Sequence, residues 1–467
     1  MDEMDAFKLL HAGVLAFADA EENGVRVDVE YCRAESDRIT QRIREHEQQI
    51  RDSKLGRRWQ QVYGESMNIY SNPQLGKMLY EQMGLEPPKR TPKGAGSTDE
   101  ETLKKLGMEE LDLLLRLRKL FKMRDTYLAN FLREQVDGYI HPVMNLHTVR
   151  TYRSSVDSPN LQNVPQRDKE AMQTVRRAII PRPNHRLLEV DFSGIEVAIA
   201  AAYHQDPTML AYLNDEHADM HGDLAHQIFM LGPYDDVIQE QGFKPTPALN
   251  TLRNATKNSF TFPQFYGDYY GNNAAHFCAW TSLPPEGRWR KGQGIEMPDG
   301  KVLSDHMREQ GIKSYNGFLD HLENIEYDFW NRRFSVYKKW RDTFYAKYQK
   351  RGCFDMLTGF RCRGLLGRND VTNYPVQGAA FHCLLWSFIR INERLIEQDF
   401  ETRLVNQVHD SMIFDVAPDE LETVARLVRR VTEHELRSTW PWIIVPLEIE
   451  AEITPIDHSW ACKEPYE

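Results

Sequence analysis

No apolar run in these 467 residues approaches the roughly 20 consecutive apolar positions that a membrane span needs, which argues against a spanning protein. The start, MDEMDAFKLL, carries acids where a secretory leader would carry a basic stretch. The six cysteines (Cys32, Cys278, Cys353, Cys362, Cys383 and Cys462) are scattered and form no CxxC pair. That disfavours a disulfide framework and structural zinc, and fits reduced thiols in a cytosol. Positive charge is also short: 58 Lys and Arg stand against 69 Asp and Glu, a net charge of −11. A polyanionic partner is not excluded by this, because binding depends on where charge sits and not on its sum. Cations do gather at Arg116–Arg124 and across Arg332–Arg363, although the ordinary reading of such runs is a solvated helix face. Repeats and low-complexity tracts are missing.

What is present suits a protein with a sizeable core: 41% hydrophobic and 27% charged residues. The length suggests two to four structural units sharing a cleft. Residues up to about 145 read as mostly helical, with helices predicted over 28–55, 73–83 and 98–132. EPPKRTPKGAGSTDE, between the last two, is rich in Pro, Gly and Lys and reads as a mobile loop. Further on, 186–191 reads as a strand ending at its aspartate, Gly194 breaks the chain, and 195–203 has helical composition. A long apolar helix is predicted over 376–398. It is followed by a hairpin of strands 403–408 and 412–416 turning at His409–Asp410. A helix over 420–436 and a strand over 443–453 complete the pattern, an α+β arrangement with one small sheet between helical masses.

Two aspartates stand apart because each lies where a strand stops. If their strands are neighbours, Asp191 and Asp410 converge at one sheet edge, and two anions held that close call for a divalent cation. Alone, either could be an ordinary turn aspartate. The words around them decide otherwise. DFSGIE (191–196) and QVHDS (407–411) resemble the first and last palm motifs of the family A DNA polymerases. RNATKNSFTFPQFYG resembles that family's nucleotide-gripping fingers helix, RTYRSSVDSPNLQNVPQR its primer-template loop, and NYPVQGAA a template-contacting helix start. The five occur in the family's order, and NGVRVD near residue 24 extends the likeness into a thumb.

The resemblance implies a right-hand fold with thumb at 1–145, palm at 146–200 and 371–467, and fingers at 201–370. It implies a DNA-templated DNA polymerase that adds dNTPs to a primer 3′-hydroxyl, with two Mg²⁺ ions (Mn²⁺ able to substitute) held by Asp191, Asp410 and the carbonyl of Phe192. Arg253, Lys257 and His221 are expected on the triphosphate, with Lys257 placed to protonate pyrophosphate. Glu196, helped by Tyr266, is expected to block the ribose 2′-hydroxyl, and Phe262 to line the nucleotide side. Arg153, Gln162, Asn163, Asn373, Gln377 and His409 are expected on primer and template. The implied partners are primer-template DNA, dNTPs and a separately encoded exonuclease or other replisome protein. The implied location is a cytoplasm, that of a bacterial host for a phage-encoded chain. Because the thumb likeness begins within the first 30 residues, no proofreading exonuclease is expected in this chain.

Four departures matter. Ser411 stands where the family usually has a second acid, Gly194 where many members carry glutamine, and Asn369 where arginine is common. The fourth is a spacing: Lys257 to Phe262 is five residues where four is usual. One extra residue turns a regular helix by about 100°, so a π-type bulge is predicted between Lys257 and Pro263. The competing register would face Thr261 and Phe265 to the palm. The stretches at about 230–250 and 279–325 are longer than a minimal family member needs.

Overall fold

A computed structural model describes residues 1–215, 217–231, 247–297 and 300–466. Most of the longer stretch expected at 230–250 lies outside the described residues. The architecture is α+β. A five-stranded antiparallel sheet runs in the order Glu464–Pro465, Ile449–Ile453, Arg186–Phe192, Ser411–Val416, Arg403–Val408.

The sheet separates two cores. Leu188, Val190 and Phe192 alternate toward one face, with Met412 and Phe414, and join the larger core. Leu187, Ile413, Val405 and Val408 look the other way and join the core of the helices between residues 25 and 180. A period of two lets one strand serve both.

The N-terminal helix Glu3–Asn23 belongs with the sheet and not with the helical mass that follows it in sequence. Its stripe Ala6, Leu9, Gly13, Ala16, Phe17 and Ala20 packs on the long helix Arg368–Glu397 and on strand Arg403–Val408. A Cβ at Gly13 would meet the Leu385 and Leu146 side-chain methyls at 3.0 Å, so glycine lets the helix come this close without those leucines having to shift.

Several predicted boundaries shift. The long helix begins at Arg368, eight residues before the predicted start, and carries Pro375 inside it. Proline forfeits one ladder bond there, yet the surrounding helix is buried on nearly every side and tertiary packing outweighs the loss. The helix expected over 98–132 is cut at Gly107, which takes a left-handed φ of 62°. The strand expected over 443–453 shortens to Ile449–Ile453. Pro446 offers no N–H to a ladder, which accounts for the irregular backbone before it.

Candidate active site

Asp191 is the penultimate residue of the central strand, and Asp410 sits at the tip of the neighbouring hairpin. Val408 pairs with Ser411, so His409 and Asp410 form a two-residue turn, with His409 at φ 54°. Asp191 pairs with Ser411, and the Phe192 N–H reaches the Asp410 carbonyl at 3.4 Å. The two aspartates therefore meet at one sheet edge although 219 positions separate their numbers.

Burial at the cleft floor, the charge of Asp410, and then Glu189 and Glu450 push the Asp191 carboxyl up to about 7. Asp191 is nonetheless open to solvent on one side, so the crowding of carboxylates is as telling as the loss of water. Glu450 lies directly across the ladder from Asp191 and accepts from Ser193 Oγ at 3.2 Å. Like charges placed opposite one another in a sheet are destabilising without a cation. Sequence reading missed Glu450, because nothing local distinguishes it in an exposed alternating strand.

Glu189 is different. It is buried and held by Trp460 Nε1 at 2.7 Å and Lys463 Nζ at 2.6 Å, and it accepts from Ser411 Oγ at 3.3 Å. Ser411 thus ties the hairpin to this buried carboxylate.

Arg153 joins two parts of the site. Its Nη2 donates to Glu196 Oε1 at 2.8 Å and to Asp410 Oδ1 at 3.1 Å. The other Glu196 oxygen accepts from the Tyr266 hydroxyl. Burial raises the Glu196 carboxyl, with Tyr266 and Arg153 working against it. Asn373 Nδ2 donates to the Tyr266 carbonyl at 3.2 Å. A small, half-open cavity of about 40 Å³ lies here, lined by Glu196, Phe262, Tyr266, Tyr337 and Asn373 among others.

The helix Pro247–Tyr266 contains the expected irregularity: Lys257–Thr261 is π-helical. Phe265 turns into the core against Phe329, Phe334 and Tyr337, and Thr261 is fully buried. Phe262 and Tyr266 stay on the open side. Lys257 Nζ lies 5.4 Å from the Phe262 ring centre, and His221 packs edge-on to the same ring at 5.6 Å. Arg253 Nε donates to Asp219 Oδ2 at 2.6 Å. Burial, helped by Arg253 and Lys257, pulls His221 down to about 4. Asp219 was not singled out in the sequence; it caps the helix of His221 and holds Arg253.

The remaining expected contacts fall around the hairpin. Gln162 Nε2 donates to Ser154 Oγ and Gln407 Oε1, both at 3.1 Å, and Gln407 Nε2 donates to the His409 carbonyl. Gln407, another residue passed over in the sequence, thereby links the 150–163 loop to the aspartate turn. Asn163 is exposed and anchored by its carbonyl, which accepts from Tyr127 Oη at 2.6 Å. Gln377 lies one turn after Asn373 on the long helix. Beside it, a Cβ at Gly378 would come within 2.4 Å of the Thr151 carbonyl, so glycine lets the loop lie against the helix.

A sequence model of DNA polymerase family A matches residues 30–242 and 360–461, more than half the chain. The DNA polymerase I of Synechocystis sp. is 28% identical over 91% of this chain and 40% of its own length. That of Bacillus subtilis is 26% identical over 98% of this chain and 46% of its own. The chain therefore spans less than half the length of these relatives. Among solved structures, the POL domain of Pol1 from M. smegmatis, in complex with DNA primer-template and dNTP, aligns with 96% of this chain and 70% of its own. Its TM-score is 0.71 at 22% identity, a likeness of fold. With the matched segments carrying both aspartates, Arg153, Glu196 and the long helix, this chain belongs to DNA polymerase family A.

Proposed function

We propose that this chain is a DNA-templated DNA polymerase: a primer 3′-hydroxyl attacks the α-phosphate of a dNTP and pyrophosphate leaves. The observation that carries the reading is the junction of Asp191 and Asp410 at one sheet edge, linked through Arg153, Glu196 and Tyr266 to the helix bearing Lys257 and Arg253. The donors at that edge are carboxylate and carbonyl oxygens, the kind Mg²⁺ takes, and the raised Asp191 carboxyl marks an excess of negative charge that a cation would relieve. Asp191, Asp410 and the Phe192 carbonyl would hold the metal. Bound there, a pair of Mg²⁺ ions, or Mn²⁺ in their place, eases deprotonation of the primer hydroxyl and neutralises the charge gathering on the phosphates.

The chain's own groups do the positioning. Arg253 would exchange Asp219 for the triphosphate, and Lys257 would neutralise the departing pyrophosphate and give it a proton. His221, held neutral, would offer a hydrogen bond to the phosphates without adding charge. Glu196 and Tyr266 would fill the space a ribose 2′-hydroxyl needs. Phe262 would wall the nucleotide side. Arg153, Gln162, Asn163, Asn373, Gln377 and His409 would face primer and template, where minor-groove acceptors are alike for every base pair and report its shape.

In this reading the thumb is 1–145 except for the N-terminal helix that packs against the sheet, the palm is 146–200 with 371–467, and the fingers lie between. Asp191→Ala and Asp410→Ala are expected to slow primer extension by at least about 10³-fold, the scale of removing a principal charge-stabilising group. Affinity for primer-template should survive, since phosphate contacts dominate it. Near-normal extension by either variant would remove that residue from the reaction.

A further inference from the structure

Behind the helix that bears Phe262 and Tyr266 lies a buried polar cluster with no part in the reaction as proposed above. Gln264 is its centre. It is fully buried, two positions after Phe262 and two before Tyr266. At about 100° per residue it stands roughly 200° round the helix from both, on the face turned away from the nucleotide side.

Three side chains hold the Gln264 amide. Its Oε1 accepts from Trp330 Nε1 at 2.6 Å, and its Nε2 donates to Asn273 Oδ1 at 2.8 Å and to Glu326 Oε2 at 2.5 Å. Buried amides need such partners, but two of these also hold the chain beyond the helix. Glu326 Oε2 accepts from the Tyr270 N–H at 2.5 Å, and Asn273 Nδ2 donates to Asp268 Oδ2 at 3.3 Å. One carboxylate oxygen thus grips the chain on both sides of Tyr266, at Gln264 and at Tyr270. Among the described residues Glu326 forms no ion pair, so its charge acts on these two donors. Such charge-assisted bonds are about twice as strong as neutral ones.

This helix end depends on an outside hold because its own ladder is weak. It is five residues long, follows the π-helical turn, and contains Pro263, which has no N–H to give. Gly267 then ends it at φ 95°. On the open side the Tyr266 hydroxyl meets Glu196, and Asn373 reaches only the Tyr266 carbonyl.

We propose that Glu326, acting through Gln264 and the Tyr270 N–H, is a positioning residue for Tyr266, and that it thereby sets the hold on the incoming nucleotide and the choice of its sugar. This rests on the polymerase reading, and the experiment separates the two. Single-nucleotide extension gives kcat, KM for dNTP and the preference for dNTP over NTP. Primer-template affinity and melting temperature are measured beside them.

Glu326→Leu fills similar space without an acceptor. It should raise KM about tenfold and lower the dNTP preference about tenfold, the scale of one hydrogen bond to a charged group. Its kcat and primer-template affinity should stay close to the parent's, since Glu326 touches neither reacting atoms nor duplex. Glu326→Gln still offers an oxygen to both donors and should fall between parent and Glu326→Leu. Gln264→Glu sets two carboxyls against each other and should lose at least as much as Glu326→Leu. Adding Glu326→Gln to it restores the bond with donor and acceptor exchanged, and KM and preference should return toward the parent's. If Gln264→Glu fails to fold, the two Glu326 variants carry the test.

Parental KM and preference in Glu326→Leu would overturn the proposal, whatever its melting temperature. So would a Glu326→Gln chain no better than Glu326→Leu, or a double variant no better than Gln264→Glu. A fall in kcat and primer-template affinity as large as the rise in KM would mark a general loosening of the fold, and would overturn it too. Any of these results beside a parent that extends primers leaves the polymerase reading standing. A parent that extends no primer would sink that reading and this proposal with it.

Discussion

Glu196 is the residue on which most of the site's geometry converges, since its two oxygens are taken by Arg153 and by Tyr266. Truncating it removes bulk beside the proposed sugar position and frees both partners. Glu196→Ala is expected to raise ribonucleotide incorporation relative to dNTP by one to three orders of magnitude, on the order of what a site gains by steric rejection of one group. Single-nucleotide kinetics with dNTP and NTP measure the ratio, and an unmoved ratio removes Glu196 from sugar choice. The residues that sequence reading overlooked share a cause. Asp219, Gln407 and Glu450 acquire their places through partners 34, 245 and 259 positions away: Arg253, Gln162 and Asp191. No local pattern encodes such a partner.

The π-helical turn Lys257–Thr261 decides which aromatics face the nucleotide. It holds one residue more than the same span of α-helix, so the faces before and after it stay aligned only while it persists. Deleting Asn258, which is exposed, should convert the turn to regular α-helix and keep Lys257 and Phe262 together. The KM for dNTP is then expected to change by less than about tenfold. Adding one alanine after Lys257 should swing Phe262 and Tyr266 by about 100° and raise KM far more. Equal effects of deletion and insertion in steady-state kinetics would show that the turn does not set the register. The five-residue spacing made this element legible beforehand. The start of the long helix was not legible, because Pro375 marks a boundary by local rules and packing carries the helix through it.

At the scale of the molecule, acid should loosen the fold through two imidazoles that the sequence gives no reason to notice. Burial pulls His204 and His382 down to about 3, and His382 sits against Thr358 Oγ1 at 2.7 Å. Both are neutral when folded, while the unfolded chain takes up their protons below about pH 6.5. Their contribution is whole above that pH and is lost as pH falls toward 3, by about 2 kcal/mol each at pH 5. The raised Asp191 carboxyl tilts the other way, favouring the folded state on the acid side of about 7. Denaturant unfolding at pH 7.5 and pH 5 measures the difference, and His382→Asn should flatten it. An equally steep loss in that variant would place the acid sensitivity elsewhere. His382 packs on Phe360 at 4.0 Å between ring centres, and such stacking across the core follows from the assembled sheet and helices.

The sequence by itself determined the α+β class, the strand-end settings of both aspartates, the family resemblance and the irregular turn after Lys257. Each of these is local: a period of two that stops at an acid, a motif a few residues long, a spacing one residue too great. Tertiary structure decided which segments share a core. It drew the first 23 residues to the sheet, set Glu450 across from Asp191, and made Arg153 the bridge between Glu196 and Asp410. Proximity between distant positions comes from the packing of faces that are individually ambiguous. It is settled only when all of them compete for the same buried area.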